Sequence, residues 1–294
     1  MPLIPVMKFG GTTLQGDVTV DEASHRQLLE ACRVADNVEA LYREAARCRM
    51  AIRAQRLSDV ASDFIIPQCR EGRVPVVVSS AFGWATNKWK EFTDHISASP
   101  DAREYARLQM AGELRSNAAL ALALREKGYR AKSLTGHEAG IRTTPQYVDA
   151  VIEDVDSTYI RQLVEEGAIP VVAGFQGYFL DERTGRNEVS ILGRGGSNQT
   201  AVALAHSLGQ RECCMYSDVD GIYDKDPHTH LDTVKYDQIY AEDLLNMDPF
   251  PTVVQRQAVL CAIEYGVDMW IKSGSEPGRA GTLVICRPKT CTFV

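Results

Sequence analysis

Residues 192–208 read LGRGGSNQTAVALAHSL, and this stretch decides the fold class. Three glycines fall within residues 193–196, which permits positive φ and lets a ligand approach bare backbone. Ser197 or Asn198 is a good helix N-cap. Beyond it, Ala201, Leu204, Ala205 and Leu208 follow the i, i+3, i+4, i+7 spacing of one apolar helix face. A Gly-rich turn that opens a helix aims free N–H groups and the positive end of the dipole at one point, where an anion commonly sits. Arg194 adds a guanidinium fork suited to a carboxylate or phosphate. Read alone, the pattern also fits a tight loop that only caps a core helix.

Working outward, short apolar runs lie on both sides: residues 3–9, 73–80 (RVPVVVSS), 168–175 (AIPVVAGF) and 212–216 (ECCMY). Runs of this kind suit strands buried on both faces of a parallel sheet. Helical stretches separate them. Residues 20–65 contain no Gly or Pro and predict one or two long charged helices. Residues 110–128 predict a helix ending at Gly128, with Glu113 near its start. Strands are expected at 129–135, 151–155, 268–272 and 282–286. Helices are expected from the cap Ser157 to Glu166, at 240–246 and at 253–265. Residues 137–144 read as a polar loop and 175–189 as a hairpin. The rhythm predicts an α/β protein, a three-layer αβα sandwich with a mainly parallel central sheet.

Bulk properties exclude several classes. The 294 residues carry 45% hydrophobic side chains and a net charge of −7, so nucleic acid is not an expected partner. No apolar run approaches the ~20 residues of a membrane helix, and the N-terminus lacks the pattern of a signal peptide. Eight cysteines without CxxC spacing read as reduced thiols of a cytoplasmic protein and not as a metal site.

Polar residues gather after the apolar runs, where ligands of open α/β sheets collect. Lys8 precedes Gly10, Gly11, Thr12 and Thr13, a plausible phosphate cradle of backbone N–H groups and one point charge, without P-loop spacing. Ser79, Ser80, Gly83, Thr86 and Asn87 follow the second run. Trp84 and Trp89 could line a site, though a core or interface role is commoner. Glu113 could serve the helix dipole or receive a substrate ammonium group. Residues 217–227, SDVDGIYDKDP, place four aspartates within nine residues after a strand. A solvated acidic turn is the bland alternative.

Together, Lys8–Thr13 (KFGGTT), VVVSSAFGWATN, Gly112-Glu113, GHEAGIRT, VVAGFQG, LGRGGSNQTAVALA, SDVDGIYDKDP and GRAGTLV resemble the amino acid kinase family, in that family's order and across about residues 6–285. Within it the chain is most similar to the catalytic domain of aspartate kinases. The resemblance implies Mg2+-dependent transfer of the γ-phosphoryl group of ATP to the side-chain carboxylate of aspartate, giving 4-phosphoaspartate. It implies that Lys8, Gly10, Gly11 and the residue at 198 act at the transferring phosphoryl. Ser79 and Thr86 would lie in the amino-acid site, with Glu113 on the substrate ammonium and Arg194 and Ser197 on its carboxylate. Thr12, Ser217, Asp218, Tyr223 and Asp226 would serve the nucleotide, and magnesium would sit mainly on the phosphates, with no dedicated protein metal site. It further implies a homodimer, an acceptor lobe over residues 1–208, a nucleotide lobe over 209–294, and a catalytic domain without ACT regulatory domains.

The chain departs from the family pattern. Where that pattern reads LGRGGSD, Asn198 supplies an amide in place of a carboxylate. Where it reads roughly FGAKVLHP, the chain has PFPTVVQRQ, with no lysine and with Arg256 as a candidate replacement cation. His228 stands where Arg is common. These changes leave two competing readings: a kinase for another amino acid or small carboxylic acid, and a binding homologue without turnover.

Overall fold

The computed structural model describes residues 3–15, 38–83, 85–225, 227, 229–230 and 232–286. The expected helical segment 20–37, Trp84, Asp226 and His228 lie outside the described residues.

The apolar runs form the middle of an eight-stranded sheet. Its order is β10 (Gln238–Tyr240), β12 (Thr282–Ile285), β11 (Asp268–Ser273), β9 (Glu212–Ser217), β1 (Val6–Phe9), β2 (Val76–Ser79), β6 (Ile169–Ala173) and β3 (Ala131–Leu134). Neighbours from β11 to β3 pair in parallel, and β12 runs antiparallel to β11. Every residue of β2 and β6 is buried, as strands covered on both faces require. Alternation along β2 divides them between layers. Val76 and Val78 face a core shared with Val202, Leu204 and Val259, whereas Val77 faces Leu57, Phe64, Leu120 and Leu124. The first layer is built by the helices Gly196–Ser207 and Arg256–Tyr265, the second by Val38–Val60 and Ala102–Glu126. Phe9 stacks on Tyr216 at 4.8 Å, with Phe64 edge-on to both, locking β1 and β9 to the second layer.

A second, four-stranded sheet has the order β5 (Ile152–Val155), β4 (Ile141–Thr143), β7 (Gln176–Asp181) and β8 (Arg186–Ile191). The expected hairpin is β7–β8, paired antiparallel from Gln176↔Ile191 to Asp181↔Arg186. Residues 141–143, expected in a polar loop, are β4, because Ile141 and Thr143 turn inward in period two while Arg142 stays exposed.

Two helix starts differ from expectation. The helix expected at 110 begins at Ala102, capped by the Asp101 carboxylate, which accepts from the Glu104 N–H at 3.1 Å. Glu113 is therefore in mid-helix and does not serve the dipole. The helix after the Gly-rich loop begins at Gly196, with Gly195 as N-cap at φ 81°, a left-handed conformation natural to glycine. Ser197 and Asn198 thus lie in the first turn, and neither side chain caps the helix. The long helix of residues 38–60 continues through a π-helical turn at Ala61–Ile65 into Ile66–Arg70.

Buried Thr282 ties the acidic loop to the sheet edge: its hydroxyl accepts from the Ile222 N–H at 2.8 Å and donates to the Tyr236 carbonyl. Thr282→Val keeps the shape and orphans both partners. It is expected to lower the unfolding free energy by about 2 kcal/mol, read by urea denaturation.

Candidate active site

β1 ends between β2 and β9, in register Lys8↔Val78 and Lys8↔Met215. The Lys8 side chain leaves the strand where three Gly-containing loops converge. The Gly10 N–H donates to the Tyr216 carbonyl at 3.0 Å and the Gly83 N–H to the Gly11 carbonyl at 3.0 Å. A Cβ on Gly11 would come within 2.5 Å of the Ala81 carbonyl oxygen, so the loops can close only over a glycine there. Burial pushes the Lys8 ammonium down to about 8, against the opposing pull of the Asp218 carboxylate. It is still mostly charged at pH 7, and it has no hydrogen-bond partner among the described residues.

Two cavities meet at this lysine. One, of about 420 Å³, is lined by Ser80, Thr86, Glu113, Asp149, Arg194 and Ser197 among others. The second, of about 660 Å³, is lined by Gly10, Thr12, Ser217, Asp218, Tyr223 and Phe250 among others. Lys8, Gly11, Gly83, Asn198 and Gln255 line both. A ligand in each cavity would therefore face the other across one cation and a glycine backbone.

The smaller cavity holds opposite charges. Glu113 is buried; one carboxyl oxygen accepts from the Ala81 N–H at 3.2 Å and the other has no partner among the described residues. Burial raises its pKa to about 8, so in the empty cavity the carboxyl is mostly protonated at pH 7. An entering ammonium group would supply the missing counter-charge and favour the carboxylate. Arg194 is exposed at the rim and makes no ion pair among the described residues, leaving its fork free for an anion. Ser79 lies elsewhere. It is fully buried, its hydroxyl has no partner, and it lines neither cavity; Ser80, one residue on, does.

The larger cavity has an apolar wall of Pro249, Phe250, Pro251 and Val253, suited to a flat ring, with Lys8 at its inner end. Ser217 donates to Asp218 at 2.8 Å. The Tyr223 hydroxyl is committed to Asp220 at 2.6 Å, and Lys235 (3.1 Å) and Arg279 (2.7 Å) hold the same carboxylate. Burial alone would raise the Asp220 pKa; these partners outweigh it and lower it, marking Asp220 as an anchor of the loop. Among the described residues no three His, Cys, Asp or Glu side chains gather as a metal ligand set, and none of the helices is long and apolar enough to cross a membrane. Asp218 and Asp224 both line this cavity, and it is Asp218 whose charge reaches Lys8.

Sequence reasoning missed Gln255. The Asn198 amide nitrogen donates to the Gln255 side-chain oxygen at 2.9 Å, and the Asn198 oxygen is buried without a partner. Arg256, the expected replacement cation, instead lies over the Phe250 ring at 4.9 Å and lines neither cavity. The difference arises at the helix start: Gln255 is the extended N-cap of Arg256–Tyr265, so its side chain and that of Arg256 diverge.

Two cavities joined over a half-buried lysine, at the carboxyl ends of parallel strands, define a protein built to bring two ligands together at one cation. The profile of the amino acid kinase family matches residues 4–273. The chain belongs to that family. It is 39% identical over 231 residues to an aspartokinase of Geobacillus stearothermophilus, covering 78% of this chain and 55% of that protein. It is 38% identical over 235 residues to an aspartokinase of Corynebacterium efficiens, covering 79% of this chain and 54% of that one. The chain thus spans about half the length of the curated relatives it matches. The crystal structure of an aspartate kinase from Synechocystis superposes with a TM-score of 0.73 at 27% identity, covering 97% of this chain and 40% of that one. A UMP kinase from Ureaplasma parvum superposes at 0.60 and 16% identity over 97% of this chain and all of that one, a likeness of fold alone.

The Glu113 pKa has a consequence for stability. A carboxyl whose folded-state pKa is raised holds its proton where the unfolded chain has released it, so stability falls as pH rises from about 4 to about 8. Glu113→Gln removes that loss. At pH 9 it is expected to be more stable than the parent by on the order of 1–3 kcal/mol, with the gap closing at pH 4, measured by urea denaturation at both values.

Proposed function

We propose that this chain transfers the γ-phosphoryl group of ATP to the side-chain carboxylate of aspartate, giving 4-phosphoaspartate and ADP. The observation that carries the reading is the smaller cavity, which pairs a buried carboxyl with one oxygen unpartnered, Glu113, with a guanidinium free of ion pairs among the described residues, Arg194, beside the shared lysine. That is the complement of an α-amino acid presenting a further carboxylate toward Lys8. The aspartokinase relatives support it.

In this reading the nucleotide lies in the larger cavity, its base against Phe250 and the prolines and its phosphates toward Lys8 and the loop of residues 10–12. The acceptor lies with its ammonium on Glu113 and its α-carboxylate on Arg194 and Ser197. An oxygen of its side-chain carboxylate attacks the γ-phosphorus, a new P–O bond forms, and the bond to the ADP oxygen breaks. No proton need move, because the acceptor is already ionised. The chain's task is alignment and neutralisation: Lys8 sits where charge from both sides collects. Bound Mg2+ would supply further neutralisation on the phosphates, with Asp218 the residue to share it. The reading carries with it assembly as a homodimer in the cytoplasm.

The neutral Asn198–Gln255 pair favours a second reading, in which another amino acid or small carboxylic acid is the acceptor. An ADP-release assay with MgATP separates the two. Saturable turnover with aspartate is the expected result; turnover with another acid of a substrate panel, but none with aspartate, selects the second reading, and no turnover with any overturns both.

Two variants sharpen the test. Lys8→Ala is expected to lower kcat by on the order of 100-fold or more, with the fold intact by circular dichroism. Asn198→Asp places a carboxylate at the junction of the cavities. It should raise the Lys8 pKa from about 8, and the alkaline limb of the kcat–pH profile should move to higher pH.

A further inference from the structure

A third cavity lies behind the acceptor loop, outside the site described above. It has a volume of about 460 Å³ and is lined by Arg49, Arg53, Lys88 and Arg115, by Phe82, Trp89 and Phe92, and by Gln15, Ala85 and Gly112. Its charge is one-sided: among the described residues its lining carries four cations and no carboxylate. None of the four makes an ion pair or a side-chain hydrogen bond among the described residues, although the chain as a whole is acidic. Arg53 is half-buried with its guanidinium 5.4 Å from the centre of the Phe82 ring. Burial lowers its pKa first, and repulsion from Arg115 and Arg49 lowers it further. An anion at this point would relieve that repulsion.

The remaining wall is aromatic. Trp89 and Phe92, three residues apart on the helix Ala85–Ile96, meet edge to face at 5.9 Å, and Phe92 leaves half its surface exposed. A cavity that joins unpaired guanidinium forks to exposed rings is complementary to a ligand with both an anionic group and a flat apolar body. Its volume suits a small molecule. We propose that this cavity is an effector site for a small aromatic anion, a flat ring carrying a carboxylate or phosphate group.

The position couples it to the acceptor cavity, a consequence that rests on the phosphotransfer reading. Phe82 lines the third cavity, while its neighbours Ala81 and Gly83 line the acceptor cavity. Gly112 lines the third cavity, and Glu113, next on the same helix, holds the Ala81 N–H. A ligand against Phe82 and Gly112 therefore presses on the loop that positions Glu113.

Calorimetric titration of the whole chain with phenyl phosphate and with benzoate tests the site without reference to turnover. Inorganic phosphate and benzyl alcohol serve as controls. At least one aromatic anion should bind about tenfold or more tightly than both controls, the two arms telling phosphate from carboxylate recognition. Arg53→Gln/Arg115→Gln and, separately, Trp89→Leu should each weaken that binding by about tenfold, while Lys8→Ala should leave it unchanged. Binding that is absent, equal for the controls, indifferent to the Arg53/Arg115 pair, or lost in Lys8→Ala overturns the site. In the ADP-release assay the bound anion should change the acceptor KM more than the ATP KM; binding with an unaltered acceptor KM overturns the effector role and leaves the phosphotransfer reading standing.

Discussion

An ammonium group taken out of water at the end of a buried strand is the constraint on which the site depends. Lys8 gives up hydration and receives in return only the pull of Asp218, so its charge is poised for a ligand. The backbone around it follows from that need. Gly11 must lack a Cβ for the loop after β1 to pass the Ala81 carbonyl, and Gly195 must turn left-handed for the next helix to begin beside the same point. A Cβ at Gly11 would collide with the Ala81 carbonyl, and one at Gly195 with the Gln255 side chain, which lines both cavities.

The sheet supplies the rigid frame. Parallel pairing from β11 to β3 sends all the central strands' carboxyl ends to one edge, where loops of distant sequence meet: residues 10–12, 80–86, 193–198 and 217–225. Each loop is anchored behind the cavity it lines. The Gly10 N–H donates to the Tyr216 carbonyl at 3.0 Å, Ser116 donates to the Ser80 carbonyl at 2.6 Å, Thr200 donates to the Gly196 carbonyl at 2.9 Å, and Asp220 gathers Tyr223, Lys235 and Arg279. Facing the cavities, the second Glu113 oxygen and the Asn198 oxygen have no partner, and Arg194 makes no ion pair, among the described residues. Side chains that hold the loops find partners, whereas these groups at the cavities are open to a ligand, as a binding site requires.

The central strands and the Gly-rich loops were legible because their signals are local: β-branched runs for strands buried on both faces, glycine clusters for close backbone approach. Lys8, Arg194 and the acidic loop could be found for the same reason. What escaped depends on parity and phase. Ser79 and Ser80 are equivalent in a list of polar residues, yet strand alternation buries one and leaves the other at the cavity. The expected helix start at Met110 put Glu113 in the first turn; the actual cap, Asp101, lies nine residues before Met110. The cationic cavity was invisible because Arg49 and Arg53, Lys88, and Arg115 belong to three helices whose meeting is a tertiary fact.

Asn198 and Gln255 show how a charge can be removed from such a site without leaving a hole. The family resemblance implies a carboxylate at residue 198 and a lysine in the segment after the acidic loop. Replacing the carboxylate alone would leave the neighbouring cation unpaired in a half-buried place. Here residues 249–257 hold no lysine, and Gln255 turns its side-chain oxygen to the Asn198 amide at 2.9 Å. The pair is hydrogen-bonded and neutral, and Lys8 is the one charged residue among those that line both cavities. The Asn198 oxygen, buried and unpartnered, is still an acceptor. It can receive a hydrogen bond from a ligand or from Lys8 but cannot hold an ammonium by charge. A neutral pair at this point leaves Lys8 without a carboxylate beside Gly11, and the field it feels comes from Asp218.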